Sequence, residues 1–433
     1  SIYPKNRMKT LYRSRLLLPS ASSAIIKDAS MMVEDGIIKG VGADNGLGKE
    51  WKPEKTVDLG NSLVMPSFSN LHTHVAMVML RGVAEGKPLD LWLNDMWAIE
   101  GRLNHDQLRA GSIVGLYDLV NSGITSFIDF YDVMPMLEAL KLFKVKATIG
   151  LPFLESYKEI KDESWRRIKM VKHYEDLITS AGARMALAPH STYSCSEELL
   201  RELAKLDKYP VETHVSETND EVLKLKERSG LAPFKYLKKV GLLNNRLIAA
   251  HGVYITEEEI GLVRDSGAIL AHCPRSNARL GSGIAPVSNL LGEGIRIGLG
   301  TDGPASGEDF DMFKEMRMAV YLSRASTGNP SALGIREVLY MATEAGHHAL
   351  GVGSGKLENG YPADFISIGL DRLPVTWDLL SSIVYGGSSS IIKDVYLDGN
   401  PIKSDYHVRV SDQMALNDSI EEVKAFMNGG KGI

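Results

Sequence analysis

Two histidines one residue apart, His72 and His74, close an apolar run that begins at residue 62. Alternate side chains of an extended strand point to the same side, so a strand ending in His-x-His presents two imidazoles together, the beginning of a site for a divalent metal ion. Two ligands are too few for a catalytic metal, and an isolated pair of this kind can equally cap a strand. Further candidates stand at the ends of other short apolar runs: His190, His214 with Glu217, His251, His272 and Asp302. Six of the eleven histidines therefore lie at such ends. Histidines placed for packing have no reason to track strand ends, so the distribution points to a functional cluster.

A cluster drawn from positions this far apart needs an architecture that gathers strand ends. Eight apolar runs recur, the first ending at His74 and the others at 123–130, 146–153, 184–191, 210–217, 246–253, 267–274 and 295–302, most of them separated by helix-periodic segments. Eight strands alternating with helices predict an α/β fold, a (β/α)8 TIM-like barrel, whose chemistry sits at the C-terminal ends of its strands. Helix starts support the alternation. Asp106 is predicted to cap a helix over 107–120 and Ser196 one over 197–206, while Thr218 to Glu221 and Thr256 to Glu259 match the capping box. Segments 310–322 and 334–350 are predicted as further helices, and 88–97 as a loop rich in Leu and Trp that covers the ligand or packs on the barrel rim. At both chain ends, short runs joined by Asp-Gly turns predict antiparallel strands that pair into one small β-sandwich domain. The expected boundaries are 1–65 and 354–433 for the two parts of that domain and 66–353 for the barrel.

Composition narrows the partners. Hydrophobic residues make up 44% and charged residues 24% of the 433, ordinary for a soluble globular chain with a large core. Lys and Arg number 49 against 54 Asp and Glu, and a net charge of −5 argues for neither nucleic acid nor a membrane surface. A small neutral or weakly charged ligand is the default. Cys195 and Cys273 have no Cys-x-x-Cys spacing and suit a reducing cytosol. No run approaches the ~18 apolar residues of a spanning helix, and a cytoplasmic protein is expected. Gly351 to Lys356 falls one residue short of a Walker loop, and His173-Tyr-Glu175 lacks the cysteine half of the nucleic-acid deaminase signature.

The ordered stretches Ser69-Asn-Leu-His-Thr-His74, Leu80-Arg-Gly82, Pro189-His190-Ser191, His214-Val-Ser-Glu217, His272-Cys-Pro274 with Ser276-Asn277, and Gly298-Leu-Gly-Thr-Asp-Gly303 resemble the amidohydrolase superfamily. Within it they are most similar to the deaminases of S-adenosylhomocysteine, 5′-methylthioadenosine and related adenosines, a group that also includes triazine chlorohydrolases. The resemblance implies one divalent ion, zinc first and iron or manganese as alternatives, held by His72, His74, His214 and Asp302. It implies that Asp302 also accepts the proton of the attacking water, that Glu217 carries protons to a ring nitrogen and the leaving amine, and that His251 orients the water or stabilises the oxyanion. Glu100 matches a glutamate that holds ribose hydroxyls, His190 a histidine that faces the purine, and Arg167 an arginine kept for the substrate's carboxylate. The expected reaction is hydrolytic deamination at C6 of a small adenosine-type nucleoside, by a homo-oligomer. A guanine or triazine substrate and a catalytically silent binding barrel are the alternatives. Glutamate at 217 favours deamination over dechlorination, because an amine needs a proton to leave and chloride does not. Leu187-Ala-Pro-His190 offers no lysine to bridge two metals, so one ion is the simpler count.

Overall fold

The eight apolar runs become eight parallel strands: β1 (Phe68–Thr73), β2 (Ile124–Phe130), β3 (Lys146–Phe153), β4 (Arg184–Pro189), β5 (Val211–Val215), β6 (Leu247–His251), β7 (Ile269–His272) and β8 (Arg296–Leu299). They are hydrogen-bonded in that order. The computed structural model describes residues 8–44, 46, 51–156 and 158–429; the outermost residues of the expected end segments, 1–7 and 430–433, lie outside the described residues. The barrel is nearly closed. Among the described residues no ladder joins β8 to β1, but the Asp302 amide donates to the His72 carbonyl at 3.0 Å just past the strand ends. Every residue of β1, β2, β5, β6 and β7 is buried. Helices cover one face and barrel-filling side chains the other, which is why these strands appear in the sequence as continuous apolar runs without alternation.

The helices follow the predicted alternation with four corrections. The cap of the helix His105–Asn121 is Asn104, whose side chain accepts the Gln107 amide while Gln107 returns the bond; Asp106 sits in the first turn, where it meets the helix dipole. Segment 88–97 is not a loop but the body of the helix Leu89–Glu100. The helix predicted over 334–350 is two, Ile335–Ala342 and Glu344–Ala349, broken at Thr343, whose carbonyl accepts the Ser69 hydroxyl at 2.9 Å. The helix predicted over 310–322 begins at Met312 and runs on to Thr327.

Both chain ends build one nine-stranded sheet. Ser62–Pro66 from the first segment pairs antiparallel with Phe365–Gly369 from the last, and this pairing joins the two halves. The sheet is mixed rather than antiparallel throughout, since Lys9–Leu17 runs parallel to both Lys55–Asp58 and Ser62–Pro66. Tyr12, Phe365 and Tyr396 pack ring against ring in its core, with centroids 4.4–5.3 Å apart. Lys146, at the start of β3, ties sheet to barrel through the carboxylates of Asp364 and Asp398 at 2.6 and 2.9 Å.

The barrel leaves no spare room where the helix Glu344–Ala349 meets β1. A Cβ on Gly346 would lie 2.2 Å from Ser69 Oγ and 2.8 Å from Ser69 Cβ. Alanine normally favours a helix over glycine by about 1 kcal/mol. Overpacking reverses that here, so Gly346→Ala is expected to destabilise the protein by about 1–3 kcal/mol. Denaturant titration reads this as a lower midpoint, and an unchanged or higher one would refute the close packing.

Candidate active site

The C-terminal ends of β1, β5, β6 and β8 converge on one buried cluster. His74 Nδ1 lies 2.6 Å from the Phe130 carbonyl and His214 Nδ1 2.6 Å from the His190 carbonyl. A ring nitrogen facing a carbonyl must carry a proton, so in the neutral form of either ring the lone pair is on Nε2. These two nitrogens face each other at 3.3 Å. His72 Nδ1 meets Glu212 Oε1 at 2.7 Å, and its Nε2 is buried with no hydrogen-bond partner among the described residues. Asp302 Oδ1 stands 3.1 Å from His74 Nε2 and 3.4 Å from His72 Nε2. With His74 and His214 neutral, lone pairs and a carboxylate oxygen converge with no proton between the two rings, an arrangement that repels itself unless a cation joins it. Nitrogen atoms of His72, His74 and His214 lie within 4.8 Å of one another, and this set of donors can hold a divalent metal ion.

Electrostatics point the same way. Burial opposes a charge on His72, yet the carboxylates of Asp302 and Glu212 outweigh it and raise its pKa to about 10. Burial also pushes against an ionised Asp302, but His72 and His74 hold it well below the usual carboxylate range. The cluster favours positive charge at its centre. Asp302 is held firmly: Ser276 and Ser306 donate to Oδ2 at 2.6 and 2.9 Å, and the Gly303 amide donates to Oδ1 at 2.8 Å.

Beside this cluster stand two groups that burial drives toward neutrality. Glu217 is buried, and desolvation, with the charges of Asp302 and Glu221, raises its pKa well above that of an ordinary carboxyl. His251 is lowered to about 4 by burial. Its Nδ1 lies 2.8 Å from Asn277 Oδ1, and its Nε2, without a hydrogen-bond partner among the described residues, is 3.7 Å from the Glu217 carboxylate. As Asn277 is oriented, Nδ1 carries the proton and Nε2 is an acceptor.

A cavity of about 330 Å³ opens onto the cluster. Eight of the ten residues singled out in the sequence line it: His74, Glu100, Arg167, His190, His214, Glu217, His251 and Asp302; His72 lies behind them. Trp92, Met96 and Trp97 of the helix Leu89–Glu100 form part of its wall. Glu100 accepts the Tyr131 hydroxyl, and burial raises its pKa. His190 is kept neutral by burial, with its pKa lowered to about 3. His272 is buried outside the cavity, its Nδ1 without a partner among the described residues.

Four polar residues of this neighbourhood escaped the sequence reading. Glu212 had a signal, because it precedes His214 by two on β5 and so faces the same side. Glu221 matched a capping box with Thr218, which does accept the Glu221 amide, but its carboxylate reaches past the cap to the amides of Ser216 and Glu217, at 3.1 and 2.8 Å. Asp129 accepts the Val75 amide at 2.8 Å and is raised to about 7 by burial. Tyr131, two residues further on, had no signal of its own.

Among the described residues no helix is long and apolar enough to cross a membrane. The family model for the amidohydrolase family matches residues 63–402. A 5-methylthioadenosine/S-adenosylhomocysteine deaminase of Haloarcula marismortui is 37% identical over 377 residues, 84% of this chain and 87% of the relative. A 5′-deoxyadenosine deaminase of Methanocaldococcus jannaschii is 33% identical over 408 residues, 92% and 96% of the two chains. In three dimensions the chain is similar to an adenosine deaminase from Xanthomonas campestris solved with bound zinc, with a TM-score of 0.90, 27% identity and coverage of 98% and 100%. The family match takes in all eight barrel strands together with the strand Phe365–Gly369 that joins the two halves of the flanking sheet, and the chain belongs to the amidohydrolase family, as a hydrolase of C–N bonds.

Proposed function

We propose that the chain hydrolytically deaminates adenosine-type nucleosides, using one divalent ion, zinc foremost, held by His72, His74, His214 and Asp302. The observation that carries this reading is the buried Glu217, whose pKa burial raises, next to a cluster of donors that can hold a metal ion. The relatives named above for nucleoside deamination support the substrate class. A divalent ion in this place lowers the pKa of a neighbouring water toward ~7 and so supplies the nucleophile at neutral pH.

The side chains move the protons. Asp302, anchored by two serines at Oδ2 and by the Gly303 amide at Oδ1, takes the water's proton. Glu217 donates its proton to the ring nitrogen beside the attacked carbon, C6, and after recharging hands one to the departing amine. Of the water's two protons, one is finally on the ring nitrogen and one in ammonia, and the oxygen remains on C6. His251 offers the water an acceptor at Nε2, which suits orienting it better than stabilising an oxyanion. Glu100, on the cavity wall, takes the sugar hydroxyls, and neutral His190 faces the base.

Metal analysis of the purified protein is expected to find about one divalent ion per chain, and His214→Ala to lose it; full activity from metal-free protein would end this mechanism. Glu217→Gln should retain the ion and lose about 10²–10⁴-fold in kcat. Because Glu217 acts in its protonated form and its pKa is raised, kcat/KM should hold at neutral pH and fall on the alkaline side as Glu217 ionises. A pH–rate profile checks the sign, and the same alkaline limb in the residual activity of Glu217→Gln would assign that limb to another group.

A further inference from the structure

Among the described residues that line the cavity, Arg167 is the one Lys or Arg. Two of its five N–H donors are already engaged. Nε donates to Glu163 Oε1 at 3.1 Å, and one terminal nitrogen donates to the Pro152 carbonyl at 2.8 Å. The second Glu163 oxygen takes Arg166, whose side chain is 65% exposed and therefore well screened by water, whereas Arg167 and Glu163 are only 24% and 27% exposed. A carboxylate arriving at Arg167 would meet a cation whose charge is already countered from one helical turn away. Other wall residues from the same stretch of chain are apolar: Pro152, Leu154 and Ile160.

We infer that Glu163 sets the charge selectivity of the cavity: by holding Arg167 in an ion pair it removes the attraction for a carboxylate, and the site takes nucleosides whose 5′ substituent is uncharged and apolar. This rests on the deaminase reading above and divides its substrate class. 5′-Methylthioadenosine and 5′-deoxyadenosine fit such a wall. S-adenosylhomocysteine, which ends in an amino-acid carboxylate, must either break the Arg167–Glu163 pair or bring a second carboxylate beside it. The opposite role for Glu163, anchoring Arg167 so that it can grip a carboxylate, makes a different prediction.

The test compares kcat/KM for 5′-methylthioadenosine and S-adenosylhomocysteine in the metal-loaded enzyme and in Glu163→Gln, which keeps a carbonyl oxygen for Arg167 and loses the charge. The unsubstituted enzyme should prefer methylthioadenosine. In the variant the ratio should move toward S-adenosylhomocysteine by about fivefold, carried by KM rather than kcat, because the pair affects binding and not the chemical step. Adding Arg167→Met should cancel the gain. A ratio that stays put or moves the other way, with both compounds still deaminated, overturns the inference and leaves the deaminase reading intact. Deamination of neither compound by the unsubstituted enzyme overturns both. Turnover of methylthioadenosine by the variant is its own control for folding.

Discussion

The geometry of the site depends on two backbone carbonyls, those of Phe130 and His190. Each accepts a hydrogen bond from the Nδ1–H of a histidine at the end of a neighbouring strand, and each thereby decides which ring nitrogen faces the centre of the cluster. The His190 carbonyl also accepts the His214 amide at 3.1 Å, so one oxygen fixes both the backbone and the ring of the same residue. This holds only while the strands keep their register. A slip of one residue between neighbours would turn His214 away from the centre and Val215 toward it. The parallel barrel is thus part of the chemistry: it supplies the carbonyls that fix the tautomers as well as the side chains.

Burial then does opposite things to the two groups beside the cluster. A carboxyl deprived of water tends to hold its proton and an imidazole deprived of water to shed one, so burial drives Glu217 and His251 both toward neutrality although they stand 3.7 Å apart. An ion pair between them would leave neither a proton to give nor a lone pair to offer. Strain accompanies this arrangement. Ser216, His251 and Asp302, at the ends of β5, β6 and β8, have φ of 52°, 76° and 57°, a region that side chains with a Cβ seldom occupy. Each re-aims the chain as it leaves the barrel, and the strands beneath hold the three in place.

The barrel and its strand-end residues were legible because parallel strands buried on both faces leave uninterrupted apolar runs, and the residues that close those runs are the ones that face the site. What was lost depended on partners that local pattern does not name. Leu89, Trp92, Leu93 and Met96 do follow helical spacing, and Pro88 precedes them, so the helix Leu89–Glu100 was present in the sequence; its density of Leu and Trp drew attention to a cover instead. Asn104 and Asp106 compete as caps, and Gln107 three residues after Asn104 decides between them. The break at Thr343 has no such cue, because it comes from a hydroxyl on β1. Glu221 satisfies the capping pattern yet spends its carboxylate on the backbone of Glu217, and only the folded chain shows which amides it can reach.

The flanking sheet looks remote from the chemistry, but the pairing of β1 gives it a task. The β1–β2 ladder is irregular, shifting register between Phe68 and Ser69 and again between Asn70 and Thr73, and β1 has no ladder with β8 on its other side. The strand that leads to His72 and His74 is therefore laddered on one side only, and irregularly. Ser62–Pro66, locked into the sheet by Phe365–Gly369, runs into β1 with a single residue between them, Ser67. The Ser67 hydroxyl shares a hydrogen bond with Thr125 at the start of β2, and its carbonyl accepts from His347. On the β8 side, Asn70 does the work of the missing ladder, donating to the Thr301 hydroxyl at 2.7 Å and accepting the Thr301 amide at 3.0 Å. Sheet, Ser67 and Asn70 together fix β1 at its entry and along its length. That is what allows two imidazoles at its far end to meet His214 and Asp302 from across the barrel.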